Sequence, residues 1–245
     1  MGQVGPAMSN EAMQAPPVAD AHPDLVIEKD PTESLADFAY RRIEDLIVSM
    51  ELKPGDWVSE PQIAQMLGLG RTPVREALMR LSTERLLVQR PRRGMSVCEI
   101  DASTQLHVLE VRRPLELTLV RSAAIRRTER EAHRLAEIVS EFEELIGTRE
   151  LVNLLRIDRA FIQHLIVCSK NSFLSSILPL YALSRRFWLA YEDRQHHFEA
   201  HKLTHWHIQI GRAVIAGDEA EAARLSSDYL DYVEAFAKHV AVNLI

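Results

Sequence analysis

Arg71 and Arg75 stand one helical turn apart in LGLGRTPVREALMRL, residues 67–81. That spacing puts both guanidinium groups on one helix face, where their planar forks of donors suit phosphate oxygens or the acceptor edge of guanine. The chemistry is recognition of a polyanion rather than catalysis. Pro73 requires the helix to begin near Arg71, because its missing N–H costs nothing in a first turn. Ala77, Leu78 and Leu81 then supply the apolar side that seats the helix on its own domain. Arg71, Arg75, Arg80, Arg85, Arg90, Arg92 and Arg93 face only Glu76 and Glu84 between positions 70 and 93. A local positive surface is therefore expected on a chain of formal net charge −6.

The elements that must position these arginines follow from periodicity and turn residues. Residues 1–34, rich in Pro, Ala and small polar residues, read as a flexible N-terminal tail. Leu35, Phe38, Ala39, Ile43, Leu46 and Ile47 recur at helical spacing until Pro54 and Gly55 force a turn. Trp57 and Val58 suit a very short strand, Ser59 with Gln62 a capping box for a second helix, and Gly68 its end. LLVQRPRRGMSV reads as two short strands joined by a basic turn. Three helices and a basic hairpin over residues 35–99 outline a winged helix-turn-helix.

Residues 100–245 carry helical signals alone. Thr128 with Glu131 and Asp218 with Glu221 form capping boxes, Gly147 and Gly217 mark breaks, and further helical patterns lie near 103–126, 149–168, 172–191 and 196–216. The expected fold is mainly α: the winged head with its small β wing, then an all-α bundle of about six helices with room for a ligand.

Composition narrows the function classes. The 245 residues are 47% hydrophobic, yet no apolar run approaches the roughly 18 residues of a membrane span. The N-terminus lacks the pattern of a secretory signal, and Cys98 and Cys168 form no CxxC pair, so a cytoplasmic location is expected. GxSxG, HExxH, P-loop and CxxC patterns are all missing, and Gly68-Leu69-Gly70 lacks the third glycine of a dinucleotide fingerprint, which argues against an enzyme.

Residues 35–99 resemble the DNA-binding domain of the GntR family of bacterial transcription regulators. The matching residues are KPGD (53–56), SE (59–60), LG (67–68), RTPVREAL (71–78) and PRRGMSV (91–97). Downstream, E110-V-R112-R-P-L115-E116, D158-R-A-F161, N171, H207 and G217-D218 resemble the all-helical effector domain of the FadR subfamily, called FCD. The resemblance implies operator contacts from Arg71 and Arg75, to which the residue chemistry adds Thr72, Arg92 and Arg93 as phosphate partners. It also implies that Gly94 lets the wing approach the minor groove, and a dimer would set two recognition helices on a palindromic operator. Three positions depart from the family pattern: Pro61 replaces an arginine, Gly70 a Ser or Thr cap, and Arg85 a turn glycine.

For the helical domain the resemblance implies an effector cavity and, in some members, a divalent metal held by one Asp and three His. Asp158 and His207 match two of those slots, whereas Ile162 and Tyr229 fill the other two. No cofactor is therefore expected, and the family's metal site reads as lost or weakened. His164 falls on another helix face from Asp158, and His197, His201 and His205 read as a solvated stripe. Arg112, Asp158, His207 and Tyr229 are expected to line the cavity, with Arg112 either clasping a carboxylate effector or pairing with Glu116. An Asp158–His207 pair without a ligand role is the matching alternative for those two residues. The reading is a dimeric repressor modulated by a small carboxylate, with the change transmitted through the linker at Glu99–Ser103. The alternatives are an acyl-CoA-responsive regulator and a DNA-binding protein without an effector.

Overall fold

The computed structural model describes residues 29, 31–90, 94–148, 150–191 and 200–243. Nearly all of the expected tail, together with Arg92, Arg93, Arg149 and His197, lies outside these residues.

Helix α1 (Leu35–Val48) opens where Ser34 Oγ accepts from Asp37 N, and it buries Ala39, Ile43, Leu46 and Ile47. After β1 (Trp57–Val58), helix α2 (Glu60–Leu67) starts with Ser59 Oγ accepting from Gln62 N, the first half of the expected capping box. Gly68, at φ 63°, ends α2 in a left-handed turn that a side chain would strain, and the chain swings directly into α3 (Arg71–Thr83). Gly70 precedes α3 without any side-chain cap. Strands β2 (Leu87–Arg90) and β3 (Gly94–Val97) form the wing, and β1 joins the far edge of β3, giving the antiparallel order β1-β3-β2. Arg85 adopts φ 64° in the turn before β2. The turn keeps its left-handed geometry although no glycine occupies it.

The body comprises α4 (Ala102–Arg126), α5 (Glu129–Glu144), α6 (Leu151–Ser169), α7 (Leu178–Tyr191), α8 (Ala200–Ala216) and α9 (Glu219–Asn243). Thr128 and Glu131 complete the expected capping box of α5. The pattern read as one helix over 172–191 instead starts with a 3₁₀ turn, Ser172–Ile177, and becomes α-helical only at Leu178. Pro179 accounts for the break, since its missing N–H cannot continue an α-helix from upstream but is harmless in a first turn. Helix α5 likewise stops at Glu144, before the Gly147 break. Phe142, Phe161, Leu165, Ile177, Val214 and Leu230 lie in the body's core, where α4 packs along α9 and α8 along α5. Among the described residues, no helix is long and apolar enough to cross a membrane.

Head and body share a joint that is wider than the linker. Ala182 of α7 enters the head's apolar core, with Leu155, Leu183 and Leu189 packed beside it. Arg159 Nη2 of α6 reaches Glu44 Oε2 and Asp45 Oδ1 of α1, each at 2.8 Å. The linker itself is pinned to α7: Arg186 Nη2 donates to the Cys98 carbonyl and Tyr191 Oη to the Ile100 carbonyl. The expected route from body to head at Glu99–Ser103 is thus one part of a broader contact.

Candidate functional site

The exposed face of α3 is built as its apolar face requires. Val74, Ala77, Leu78 and Leu81 are buried, which turns Arg71, Thr72 and Arg75 outward. Arg75 has 73% of its side chain exposed, with Nε 3.7 Å from Glu60 Oε1. Arg71, Thr72, Arg75 and Glu76 share one shallow surface with Glu60 and Met79. A second groove joins Arg75 and Glu60 to Pro61, Gln89, Arg90, Gly94 and Met95, so α3 and the described wing residues share one face. Gly94 takes φ 91°, a conformation that suits glycine at the strand's start.

Not every arginine in the basic run is free to meet a polyanion. Arg80 lies 3.8 Å above the Tyr40 ring, with Asp37 at 3.3 Å and Glu84 at 3.2 Å, so it braces α3 against α1. Arg80 thus serves the packing of the head rather than the exposed basic face. Glu60 was not foreseen as part of this face. Its place directly after the Ser59 cap was the available signal, because first-turn residues of α2 sit next to α3 in this motif.

Inside the body, a cavity of about 70 Å³ is lined by all four expected residues, Arg112, Asp158, His207 and Tyr229, and also by Arg185 and Trp188 of α7. Arg112 is fully buried, with Nε 2.7 Å from Glu116 Oε2. Its Nη2 donates to Tyr229 Oη at 3.1 Å, and its guanidinium lies 3.7 Å above the Tyr181 ring. Ser226 Oγ donates to the other Glu116 oxygen at 3.2 Å. Arg112 therefore lines the cavity and makes the Glu116 pair at once.

Asp158 is the second charged centre. Arg185 Nε donates to its Oδ2, and His207 Nε2 lies 3.0 Å from its Oδ1. Burial alone would raise the Asp158 pKa, but Arg185 and His207 outweigh it and hold the carboxyl well below the usual range. His207 Nδ1 faces the Leu203 carbonyl at 2.8 Å, and the ring stacks on Phe142 at 5.4 Å. Gly211, one turn along α8, faces α5 closely: a Cβ there would meet Val139 Cγ2 at 2.5 Å. His164 points elsewhere, its Nε2 facing the Glu131 carbonyl at 2.8 Å.

The donor set does not fit the divalent ion held by some proteins of this fold. Ile162 is 1% exposed and has no donor atom, and Asp158 is engaged by Arg185. Burial raises the Tyr229 pKa, disfavouring the phenolate a metal would need. Among the described residues, no group of three or more His, Cys, Asp or Glu is placed to hold a metal. His205 is exposed, while the rest of its stripe falls outside the described side chains.

Residues 35–97 match the bacterial regulatory proteins of the gntR family, and residues 107–232 match the FCD domain. The Nta operon transcriptional regulator of Aminobacter aminovorans is 31% identical over 158 residues, 64% of this chain and 75% of that protein. The HTH-type transcriptional repressor RspR of Escherichia coli K12 is 28% identical over 134 residues, 55% of this chain and 59% of its own. Among solved structures, McbR/YncC of E. coli superposes with a TM-score of 0.72 at 20% identity, covering 84% of this chain and 98% of that one. A regulator from Rhodococcus sp. RHA1 follows at 0.65 and 22%, covering 84% and 99%. With a gntR-type winged head and an FCD body matched in order along one chain, this protein belongs to the GntR family of transcription regulators, and its architecture is that of the FadR subfamily.

Proposed function

We propose that the protein is a repressor that binds a palindromic operator as a homodimer and is modulated by a small molecule held in the FCD cavity. Arg71, Thr72 and Arg75 meet the major groove and its phosphates, and the wing carrying Arg92, Arg93 and Gly94 follows the backbone toward the minor groove. The observation that carries the regulatory part is the adjacency of Asp158 and Arg159. One residue lines the cavity, and its neighbour holds Glu44 and Asp45 of the head. A ligand that draws on Asp158 or Arg185 shifts the segment of α6 that holds α1. Such a ligand changes operator affinity only if it binds one head placement better than the other.

A cavity of about 70 Å³ has room for about two waters at their liquid share of about 30 Å³ each. That is far short of an acyl-CoA thioester and favours a compact effector over that alternative. Arg112, read from the sequence as a possible carboxylate clamp, is already engaged by Glu116 and Tyr229. Selection of bound fragments from genomic DNA, followed by footprinting, tests the DNA half of the proposal. An inverted repeat with half-sites about one helical turn apart is expected. A single unrepeated site occupied by one chain contradicts the dimeric reading.

A further inference from the structure

We infer that two copies of this chain meet through the exposed face of α4, the helices running antiparallel about a twofold axis near Glu116, with Glu110 of each copy beside Arg121 of the other. The inference rests on the homodimeric reading and assigns its surface. Its first support is the composition of α4, a 25-residue helix with apolar side chains on every side. Val108, Leu109, Leu119, Val120, Ala123 and Ala124 are buried against the body, whereas Val111 and Ile125 remain 54% and 63% exposed. A helix that is apolar all round is normally covered all round. Helix α5 shows the contrast, its exposed positions including Glu129, Arg130, His133, Arg134, Glu137 and Glu144.

The second support is the symmetry of the exposed stripe. Between residues 107 and 125 the exposed positions are His107, Val111, Pro114, Thr118, Arg121 and Ile125, with Glu110 beside them. Successive gaps of four, three, four, three and four residues place the six along one line of the helix, at the repeat of about 3.5 residues that a helix-packing seam uses. The spacing is the same from either end, so an antiparallel copy meets it in register. Reversal about Glu116 sets Pro114 against Thr118 of the other copy, and His107 against Ile125. The centre then holds no unmet donor, because Pro114 lacks an N–H and the Thr118 hydroxyl already donates to the Pro114 carbonyl at 2.7 Å.

Charge complementarity points to a second copy as the occupant. Glu110 and Arg121 are separated by about three helical turns and so lie on the same flank of the stripe. Neighbouring arginines on α4 are engaged within the chain: Arg113 pairs with Asp231 and Glu234 of α9, and Arg126 donates to the Ser169 carbonyl. Glu110 and Arg121 are exposed and have no hydrogen-bond or ion-pair partner among the described residues. The reversal that aligns the stripe brings Glu110 of one copy to Arg121 of the other, and the twofold axis repeats the pair at the opposite end. A parallel arrangement offers neither residue an opposite charge. Such pairs fix direction and register more than they add affinity, which the apolar stripe supplies.

The test is sedimentation velocity of the full-length protein over a dilution series, with Glu110→Arg and Arg121→Glu measured separately and then mixed. Each reversal sets like charges together at both ends of the contact and should raise the dimer dissociation constant about tenfold or more. Mixing the two variants should restore it to within about threefold of the wild type, because the two arginines of one copy then face the two glutamates of the other. That recovery also shows both variants to be folded. Ile125→Glu probes the apolar part and should weaken self-association about tenfold or more while leaving the circular dichroism spectrum unchanged. A wild-type chain that sediments as a monomer at concentrations that saturate the operator overturns the homodimer itself. A dimer that tolerates both reversals or Ile125→Glu, or that fails to recover on mixing, overturns this face and leaves the homodimer standing.

Discussion

Replacing Arg159 with methionine probes the joint through which the body holds the head. Arg159 Nη2 lies 2.8 Å from both Glu44 Oε2 and Asp45 Oδ1, and the three side chains are 15%, 7% and 16% exposed. Burial already raises the pKa of both carboxylates, and Arg159 is the largest influence opposing it. Removing one partner of a buried pair costs about 3–5 kcal/mol. Residual exposure and the nearby Arg185 charge, which acts on both acids, reduce this to an expected loss of about 2–3 kcal/mol. At roughly 2–4 °C per kcal/mol for a chain of this size, the melting temperature should fall by about 4–12 °C. The assay is a thermodynamic cycle in urea with Arg159→Met, Glu44→Gln and the double variant, where a coupling of about 1–3 kcal/mol is expected. The sign with pH is also fixed. A carboxyl with a raised folded pKa favours the folded state below its unfolded value and loses that contribution as pH rises through the folded value. The Arg159→Met deficit should therefore shrink on acidification. Additive single effects, agreeing within about 0.5 kcal/mol, would refute the claim that this contact holds the joint.

Three further outcomes follow from the geometry. Asp158 has a depressed folded pKa, so its stabilising contribution is present above its ordinary value of 3.8 and is lost as pH falls below it. Thermal melts of Asp158→Asn should show a lower stability at neutral pH and a flatter acid limb than the parent; an unchanged acid limb contradicts the assignment. Arg85→Gly removes a left-handed non-glycine residue at φ 64° and should stabilise the head by about 0.5–1 kcal/mol in urea unfolding, with any loss counting against the strained turn. Gly211→Ala would set a Cβ 2.5 Å from Val139 Cγ2, and overpacking of this kind costs about 1–3 kcal/mol. A neutral effect on the melting temperature would mean that α8 is not held as close to α5 as described.

Local rules carried most of the fold. Ser34, Ser59, Asp101 and Thr128 cap helices whose starts are marked by short-range residue types, and Gly68 ends α2 because only a left-handed turn fits there. The face of α3 was legible for the same reason, since its apolar residues dictate which way the arginines point. The cavity was legible only in part. Asp158 and His207 could be located by resemblance, but Arg185 pairs across 27 positions between two helices, and no periodicity encodes such a contact. Two arginines inside the otherwise apolar run LYALSRRFWLAY were the available sign. Charges so placed are buried with partners or exposed on a narrow face, and Arg185 and Arg186 are both buried. Arg159 escaped notice because an exposed-looking arginine beside a cavity residue has no local feature that names its partners on α1.

Base reading by the face of α3 is tested most directly by measuring Arg75→Ala on the selected operator and on a scrambled duplex at one salt concentration, by fluorescence anisotropy. The expected result is a loss of about 1–3 kcal/mol on the operator and a much smaller loss on scrambled DNA, because a bidentate contact to guanine carries sequence information and a phosphate contact does not. Equal losses on both duplexes would contradict the assignment of Arg75 as the residue that reads the sequence.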